Sequence, residues 1–457
     1  MKSASHRAGH EHIAVVGAGF SGSLQAINLL RHGGPRTTLV ERRSTAGRGV
    51  AYSTAHPGHL LNVRAANMSA LPDDPGHFLR WLADRHPEQD GFVPRTLYGD
   101  YLGDLLAETL AASPDRLAMR QAEVVDVVPV TDNGFELLLD GGDRLWADAV
   151  ILAPGNLPPH QPIPLAAADL PPAVYARDPW AADATTGLSP DDTVLIIGTG
   201  LTMVDMVLLL EAGGHRGRIV AMSRRGLCPH AHADGVMAAP LSERPPVHPT
   251  GALRAVRRRA TEVGWRAAVD ALRPFIQSMW RAADAEQRRR FLRHLRPWWD
   301  IHRHRLAPAV ASRIAAMRRN GQLEIVAGKL QAAVANGTGA IVDWRPRGED
   351  ATQSLDVARI INCSGPQGDL RKTDDRLLRK LVARGLIRPD PLQLGIDVNA
   401  RSEAIGEDGR PNPGLMIIGP MTRSAFWEIV AVPDIRMQTW ALARRRCNAQ
   451  WVEGEGL

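Results

Sequence analysis

The sequence predicts an α/β protein made of two similar halves, each a doubly wound parallel sheet entered through a glycine-rich turn. Three observations carry this prediction. An apolar strand runs through a glycine turn into a helix twice, as "IAVVGAGFSGSLQA" at 13–26 and "VLIIGTGLTMVDMV" at 194–207. Short strand-like pieces separated by turns follow each time. Each half then closes on an apolar strand ending in glycine, "AVILAPG" at 149–155 and "ARIINCSG" at 358–365. Val- and Ile-rich runs bounded by glycine read as strands buried on both faces, which parallel sheets require.

In the first half, Ile13–Val16 is the strand, and Gly17, Gly19 and Gly22 fall on the GxGxxG spacing. The first glycine permits the turn, the second lets backbone approach a pyrophosphate, and the third lets the helix pack on the strand. Phe20 and Ser21 lie inside the turn, and the first N–H groups of the helix point at the phosphates. The strand "TTLVE" ends at Glu41, 24 residues after Gly17, with Arg42 next. A carboxylate there accepts the ribose hydroxyls of a dinucleotide. Gly47 and Gly49 in "GRGVAYS" allow close backbone approach to the same ligand, with Tyr52 beside them. Asn62, Asn67, Met68 and Ser69 form a loop that either lines the site or simply precedes a helix at 76–86 capped by "PDDP". Arg95, before the next helix, serves an anion or a surface ion pair, and Gly155 closes the half.

The second half repeats the grammar with two changes. Gly198 and Gly200 hold the first two positions, with Leu201 and Thr202 inside the turn, but Met203 replaces the third glycine. Looser helix–strand packing is expected. The next strand, "RIVAMS", ends at Ser223 and continues as Arg224–Arg225, with no acidic residue. A carboxylate there would repel a 2′-phosphate, whereas guanidinium binds it. Glu41 therefore suits the adenosine end of FAD and Arg224–Arg225 suit NADPH. Strand-like pieces "LEIVAGKL", "LQAAVANG" and "GAIVDWRP" lead to Gly365.

A helical stretch at 251–319 has no counterpart in the first half. Residues 254–319 hold 17 arginines against five carboxylates, although the whole chain carries only +6. The pattern lacks the aromatic interleaving of a nucleic-acid binder. It suits solvated helix faces or an electropositive approach for an anionic substrate or NADPH. Trp299, His302 and Arg303 are its substrate candidates. His302 and His304 do not share a helix face, and with no third ligand in view no metal is expected. The remaining composition, 44% hydrophobic and 23% charged, is that of a soluble globular chain. No apolar run approaches the ~18–20 residues of a membrane span. With no apolar leader, residues 1–10 are expected to be a loose tail and the protein cytoplasmic. Cys228, Cys363 and Cys447 stand apart without a CxxC pair, as expected for packing residues in a reducing compartment.

The duplicated layout resembles the two-dinucleotide-binding-domain flavoproteins, in which an NAD(P)H domain is inserted into a split FAD domain. The resemblance implies an FAD-binding first part at 1–180, an NADPH-binding domain at 188–355 carrying the helical insert 251–319, and an FAD-binding second part at 356–457. Narrower stretches are "GRGVAYS", "HLLNVRAANMSALPDDPGHFLRWL", "FVPRTLYGDYL", "SRRGLCPHAH", "WWDIHRHRLAP" and "IIGPMTRSAFWEIVAVPDIRMQ". These resemble the bacterial FAD/NAD(P)-binding protein family, similar in turn to N-hydroxylating and Baeyer–Villiger-type flavin monooxygenases. The last FAD strand of such flavoproteins usually ends in Gly-Asp; here it reads Gly419-Pro420, so Gly419, Trp427 and Glu428 become flavin-side or pocket candidates. The resemblance implies FAD, NADPH and oxygen activation at the flavin C4a position, acting on a small, anionic or amine-bearing substrate. No catalytic side chain is singled out, because that chemistry needs none. Two other readings stay open: a dehydrogenase or reductase that inserts no oxygen, and a nucleotide-binding redox sensor.

Overall fold

β1 (His12–Val16) buries Ile13, Ala14 and Val15 completely and runs through the first glycine turn into α1 (Phe20–Arg31) and β2 (Arg36–Glu41). The computed structural model describes residues 11–53, 56–130, 134–233, 241 and 243–448; the tail expected at 1–10 lies outside them. A short helix α2 (Gly49–Ser53), then α3 (His77–Arg85) and α4 (Arg95–Ala112), lead to β3 (Leu117–Gln121). An antiparallel meander of β4 (Val124–Pro129), β5 (Phe135–Leu139) and β6 (Arg144–Ala147) follows. β7 (Ala149–Leu152) then returns to lie parallel to β1, with Leu152 opposite Val16.

The chain continues through β8 (Leu157–Pro159), α5 (Ile163–Ala167) and β9 (Tyr175–Ala176) to β10 (Val194–Ile197), α6 (Leu201–Ala212) and β11 (Ile219–Ser223). From Pro249 to Arg319 every element is helical: α7 (Pro249–Val263), α8 (Trp265–Asp270), α9 (Ile276–Ala282), α10 (Ala285–Arg290), a π-turn at Phe291–Leu295, α11 (Arg296–Arg303) and α12 (Pro308–Arg319). Proline at the first turn of α7, α11 and α12 supplies the starts, where its missing N–H costs nothing. β12 (Leu323–Asn336), β13 (Gly339–Pro346), β14 (Gln353–Val357), β15 (Arg359–Asn362) and β16 (Pro366–Gln367) complete this part. α13 (Arg376–Ala383), β17 (Glu403–Ile405), β18 (Pro411–Ile417) and α14 (Val432–Arg446) end the described chain.

The repeat read from sequence is visible in the strand orders. One sheet runs β17-β18-β7-β1-β2-β3 and the other β14-β13-β12-β11-β10-β15-β9. β1 is flanked in parallel by β2 and β7, and β10 by β11 and β15, in matching register. The pieces expected at 323–337 form one long strand instead. β12 pairs in parallel with β11 over its first residues, then antiparallel with β13 from Gly328 onward, across a bulge between Leu330 and Ala332. In the first half, Ala122 and Glu123 break the equivalent run into β3 and β4.

Two compact units result. One holds the described residues up to 53, 64–157 and 368 onward, and the other holds 56–63 and 158–367. The second unit thus starts at Pro158 rather than at 188 and runs to Gln367 rather than 355. The reason is pairing: β9 and β15 both belong to its sheet. Its excursion at 56–63 has no signal in the sequence. Among the described residues no helix is long and apolar enough to cross a membrane.

Candidate functional site

In the first unit the glycine turn is steric necessity. Gly17 has φ +97, and a Cβ on it would lie 2.5 Å from the Ala153 carbonyl oxygen. A Cβ on Gly22 would lie 1.7 Å from the Gly17 oxygen. Only glycine lets the start of α1 come down onto β1 and the end of β7. Gly19 ends the turn in extended geometry, and no side chain caps α1. Its leading N–H groups are therefore left for an anion. The Ala18 N–H donates to Glu41 Oε2 (2.7 Å) and the Arg43 N–H to Oε1 (3.0 Å). Each carboxylate oxygen keeps a lone pair for a ribose hydroxyl.

Within "GRGVAYS" the residues from Gly49 onward form α2, and this segment lies over the turn. The Gly47 N–H donates to the Ala18 oxygen (2.8 Å), and a Cβ on Gly49 would sit 3.3 Å from Gly19 Cα. α2 packs on α4 in turn, because Gly99 makes room for the Tyr52 carbonyl. Tyr52 stands edge-on to Tyr98 with ring centroids 4.9 Å apart. Burial pushes the Tyr52 phenol up to about 12, while the Arg95 charge at the start of α4 pulls the other way. Gly419, at φ +80 after β18, closes against Ser21: a Cβ there would meet the Ser21 hydroxyl oxygen at 2.6 Å. Gln438 Oε1 accepts the Gly419 N–H (2.8 Å), and Pro420 follows directly. Trp427 and Glu428 follow in a buried turn, with Glu428 at φ +69. Gly155, at φ +69, follows Ala153 beyond β7.

Other expected residues stand apart from this cradle. Arg42 is exposed and faces Glu123 at 3.9 Å. Ser69 is fully buried with Met68, and its hydroxyl is engaged inside its own turn, 2.6 Å from the Asp74 oxygen. No side chain caps the helix after "PDDP"; Asp73 pairs with Arg31 and Asp74 with Arg80 instead. Asn62 does not join Met68 and Ser69. It lies in the segment 56–63 of the second unit, where its carbonyl oxygen is 3.0 Å from His232 Nε2. His59 anchors the same segment, with Nε2 2.9 Å from the Asp205 oxygen inside α6.

The second turn repeats the first on its own sheet. Gly198 has φ +112, and a Cβ on it would meet the Cys363 oxygen at 2.2 Å, as Gly17 would meet Ala153. Gly200 precedes α6 in extended geometry without a side-chain cap, and a Cβ there would have open space. With Met203 fully buried in place of the third glycine, α6 packs less closely on β10 than α1 does on β1. Leu201 and Thr202, both half-buried, open α6. Thr199 Oγ1 hydrogen-bonds the Ser223 hydroxyl (2.9 Å) and the Leu227 carbonyl, and the Gly226 N–H donates to Ser223 (3.0 Å). Ser223 therefore shapes the turn that carries Arg224 and Arg225. Among the described residues neither arginine has an ion pair or side-chain hydrogen bond. Gly365 (φ +93) ends the loop after β15, where buried Asn362 donates to the His160 oxygen (3.2 Å).

The helical run of the second unit holds a cluster that spacing alone did not reveal. The rings of His230, Trp265 and His302 are mutually 4.8–4.9 Å apart. Arg266 and Arg305 lie over Trp265, and Arg305 is held by both carboxylate oxygens of Asp270 (2.8 and 3.0 Å). Burial, with these positive neighbours, holds the His230 imidazole below its ordinary value. His302 thus takes part in ring packing while half-exposed, with its Nδ1 2.7 Å from the Trp298 carbonyl oxygen. Trp299 packs near Phe291 (6.4 Å), and Arg303 lies on the same helix. Burial raises the thiols as well, Cys228 to about 11 and Cys363 far above its usual range, so neither is a nucleophile at neutral pH.

Compared with known proteins, residues 14–157 match the FAD-NAD(P)-binding family. A search of curated proteins finds no match to the chain. Solved structures match along nearly its whole length. The reduced form of the ornithine hydroxylase PvdA from Pseudomonas aeruginosa is 13% identical, with 96% of this chain and 99% of that one covered at a TM-score of 0.67. The cadaverine monooxygenase DfoA from Erwinia amylovora, solved with FAD, is 11% identical over 95% and 94% of the two chains, at 0.68. The ornithine N-hydroxylase KtzI from Kutzneria sp. 744, solved with reduced FAD, NADP+ and L-ornithine, is 14% identical over 96% and 99%, at 0.63. The chain has the two-dinucleotide-domain α/β fold of these flavin monooxygenases, and its residues 14–157 match an FAD-NAD(P)-binding domain.

Proposed function

We propose that the chain is an FAD- and NADPH-dependent monooxygenase that hydroxylates the nitrogen of a small amine-bearing molecule. The observation that carries the reading is the pair of glycine turns on like strands, one ending at Glu41 and the other at Arg224–Arg225. The likeness, along nearly the whole chain, to an ornithine hydroxylase and a cadaverine monooxygenase supports the substrate class.

Gly17, Gly19 and Gly22 admit the pyrophosphate of FAD to the start of α1, and Glu41 accepts its ribose hydroxyls. Gly49 and Tyr52 cover that turn, and Gly419 closes on Ser21 in place of the missing aspartate. Gly198 and Gly200 admit the pyrophosphate of NADPH, and Arg224 and Arg225 bind its 2′-phosphate. When bound, FAD supplies hydride acceptance from NADPH and activation of O2 at C4a; the protein supplies orientation and exclusion of water. Three cysteines set apart without a CxxC pair suit a reducing, cytoplasmic setting.

Purified protein loaded with FAD, NADPH and O2 should convert ornithine, lysine or cadaverine, or a related amine, to a product one oxygen heavier. NADPH use without any oxygenated amine would move the assignment to a reductase. FAD never reduced by either nicotinamide nucleotide would leave only a binding protein. Changing Arg224→Ala together with Arg225→Ala should erase the preference for NADPH over NADH by about 10–100-fold, at ~1.5–3 kcal/mol for hydrogen bonds to a charged group. An unchanged preference in that double variant would refute the role of the two arginines.

A further inference from the structure

Three of the four tyrosines in the chain, Tyr52, Tyr98 and Tyr101, stand in one file of rings within the first unit. The file begins at the first glycine turn, where the Phe20 ring is 6.3 Å from Tyr52 and 6.2 Å from Tyr98. Centroids then step 4.9 Å from Tyr52 to Tyr98, 5.5 Å to Tyr101 and 5.7 Å to Trp81, which is half-buried on α3.

The members differ in what can take up a proton or stabilise a positive charge. Tyr98 is fully buried, and its hydroxyl has no hydrogen-bond partner among the described residues. An oxidised phenol with no base in reach keeps its proton and stays strongly oxidising, so a missing electron does not rest there. The Tyr101 hydroxyl lies 2.9 Å from His77 Nδ1, and its oxygen is 3.3 Å from the Ala70 N–H. That imidazole can accept the phenolic proton. The Trp81 indole N–H donates to Asp104 Oδ2 (2.9 Å), a carboxylate that stabilises a positive indole. Arg85 over the Trp81 ring opposes this, but it is itself paired with Asp104 at 3.3 Å. Hydrophobic packing accounts for an aromatic cluster. It does not call for an unpartnered phenol in the middle of the file, a base on the next ring and a carboxylate on the outermost.

We propose that Tyr52, Tyr98, Tyr101 and Trp81 form a path that drains oxidising equivalents from the first glycine turn to the surface, with Tyr101–His77 as its proton-coupled station. The proposal rests on reading that turn as the FAD site. Tyr101 gives one electron, relayed through Tyr98 and Tyr52, to a one-electron oxidant at the turn, such as a reactive oxygen species from uncoupled turnover. Its O–H proton passes to His77 Nδ1, leaving a neutral tyrosyl radical and an imidazolium. Trp81 then gives one electron to Tyr101 and His77 returns the proton, which leaves a tryptophan cation radical. A soluble thiolate reduces that cation at the surface and becomes a thiyl radical.

The test uses the full-length, FAD-loaded protein without NADPH or substrate. Blue light makes the bound FAD the oxidant, and transient absorption with freeze-trapped electron paramagnetic resonance reads the radicals. The expected result is a tyrosyl signal that gives way to a tryptophanyl one. Trp81→Phe should lose the tryptophanyl signal and prolong the tyrosyl, while Tyr101→Phe should lose transfer to Trp81. If Tyr101→Phe does not fold, Trp81→Phe decides alone, its ring being half-exposed. FAD bound with no protein radical in the unmodified chain, or with the same radicals in Trp81→Phe, overturns the path and leaves the FAD assignment standing. Protein that takes up no FAD overturns both.

Discussion

Replacing Gly22 with alanine should disable the first unit, and the size of the effect follows from the contact it creates. The new Cβ would start 1.7 Å from the Gly17 oxygen and 3.1 Å from Ala153 Cβ, whereas real Cβ atoms do not come within 3.0 Å of a neighbour. The Gly17 carbonyl cannot recede freely. Gly17 donates its N–H to the Val40 oxygen (2.8 Å) and is itself wedged against the Ala153 oxygen. Overpacking by side-chain atoms costs about 1–3 kcal/mol. Here the closest obstacle is main chain, the Gly17 carbonyl, so about 3 kcal/mol or more is expected. For a unit of this size that lowers the melting midpoint by roughly 6–12 °C. The cradle opens as α1 moves out, and FAD retention falls with it. Gly200→Ala is the control, since its Cβ would meet open space at φ −87. It should cost less than ~1 kcal/mol as a poorer helix start, yet weaken NADPH binding by obstructing backbone approach. Circular-dichroism melts and bound-flavin absorbance measure both variants. A Gly22→Ala protein that melts within about 2 °C of the unmodified chain and holds FAD fully would refute the steric argument.

Three further outcomes are expected. Burial lowers the pKa of His12, His215 and His230 in the fold, so the unfolded chain binds protons first as pH falls. The stability they contribute is complete above about 6.5 and declines as pH drops through that value; melts that are flat from neutral pH to pH ~5 would contradict this. Asp270→Ala strips both ion-pair contacts from the buried Arg305 side chain, which keeps only the His302 and Arg266 carbonyls. Because Asp270 is itself half-exposed, screening limits the loss to about 1–2 kcal/mol, read as a lower melting midpoint; no change would show the pair to be idle. Cys228 and Cys363 should resist iodoacetamide at neutral pH until denaturant is added, and rapid labelling of either native thiol, followed by mass spectrometry, would contradict their burial.

What the sequence determined by itself is whatever short-range sterics dictate. Gly17, Gly19 and Gly22, and Gly198 with Gly200, could be read because a turn between strand and helix admits only glycine at set offsets. Glu41 and Arg224–Arg225 could be read because a strand of known length delivers its end residue beside that turn. The looser seat of α6 followed from Met203 alone. Tertiary structure decided the rest, because those contacts join residues far apart in the chain with no periodic mark. His59 reaches Asp205, so 56–63 belongs to the second unit and Asn62 parts from Ser69. β9 and β15 pair into one sheet, which sets the unit boundary at Pro158. His302 meets His230 and Trp265 only because the run near 230 pairs with the chain near 306. Tyr52, Tyr98 and Trp81 look like ordinary helix residues one by one. Tyr52 joins the file only because Gly99 lets α2 down onto α4. Local geometry is written in neighbouring residues, whereas which side chains meet depends on how whole elements pack.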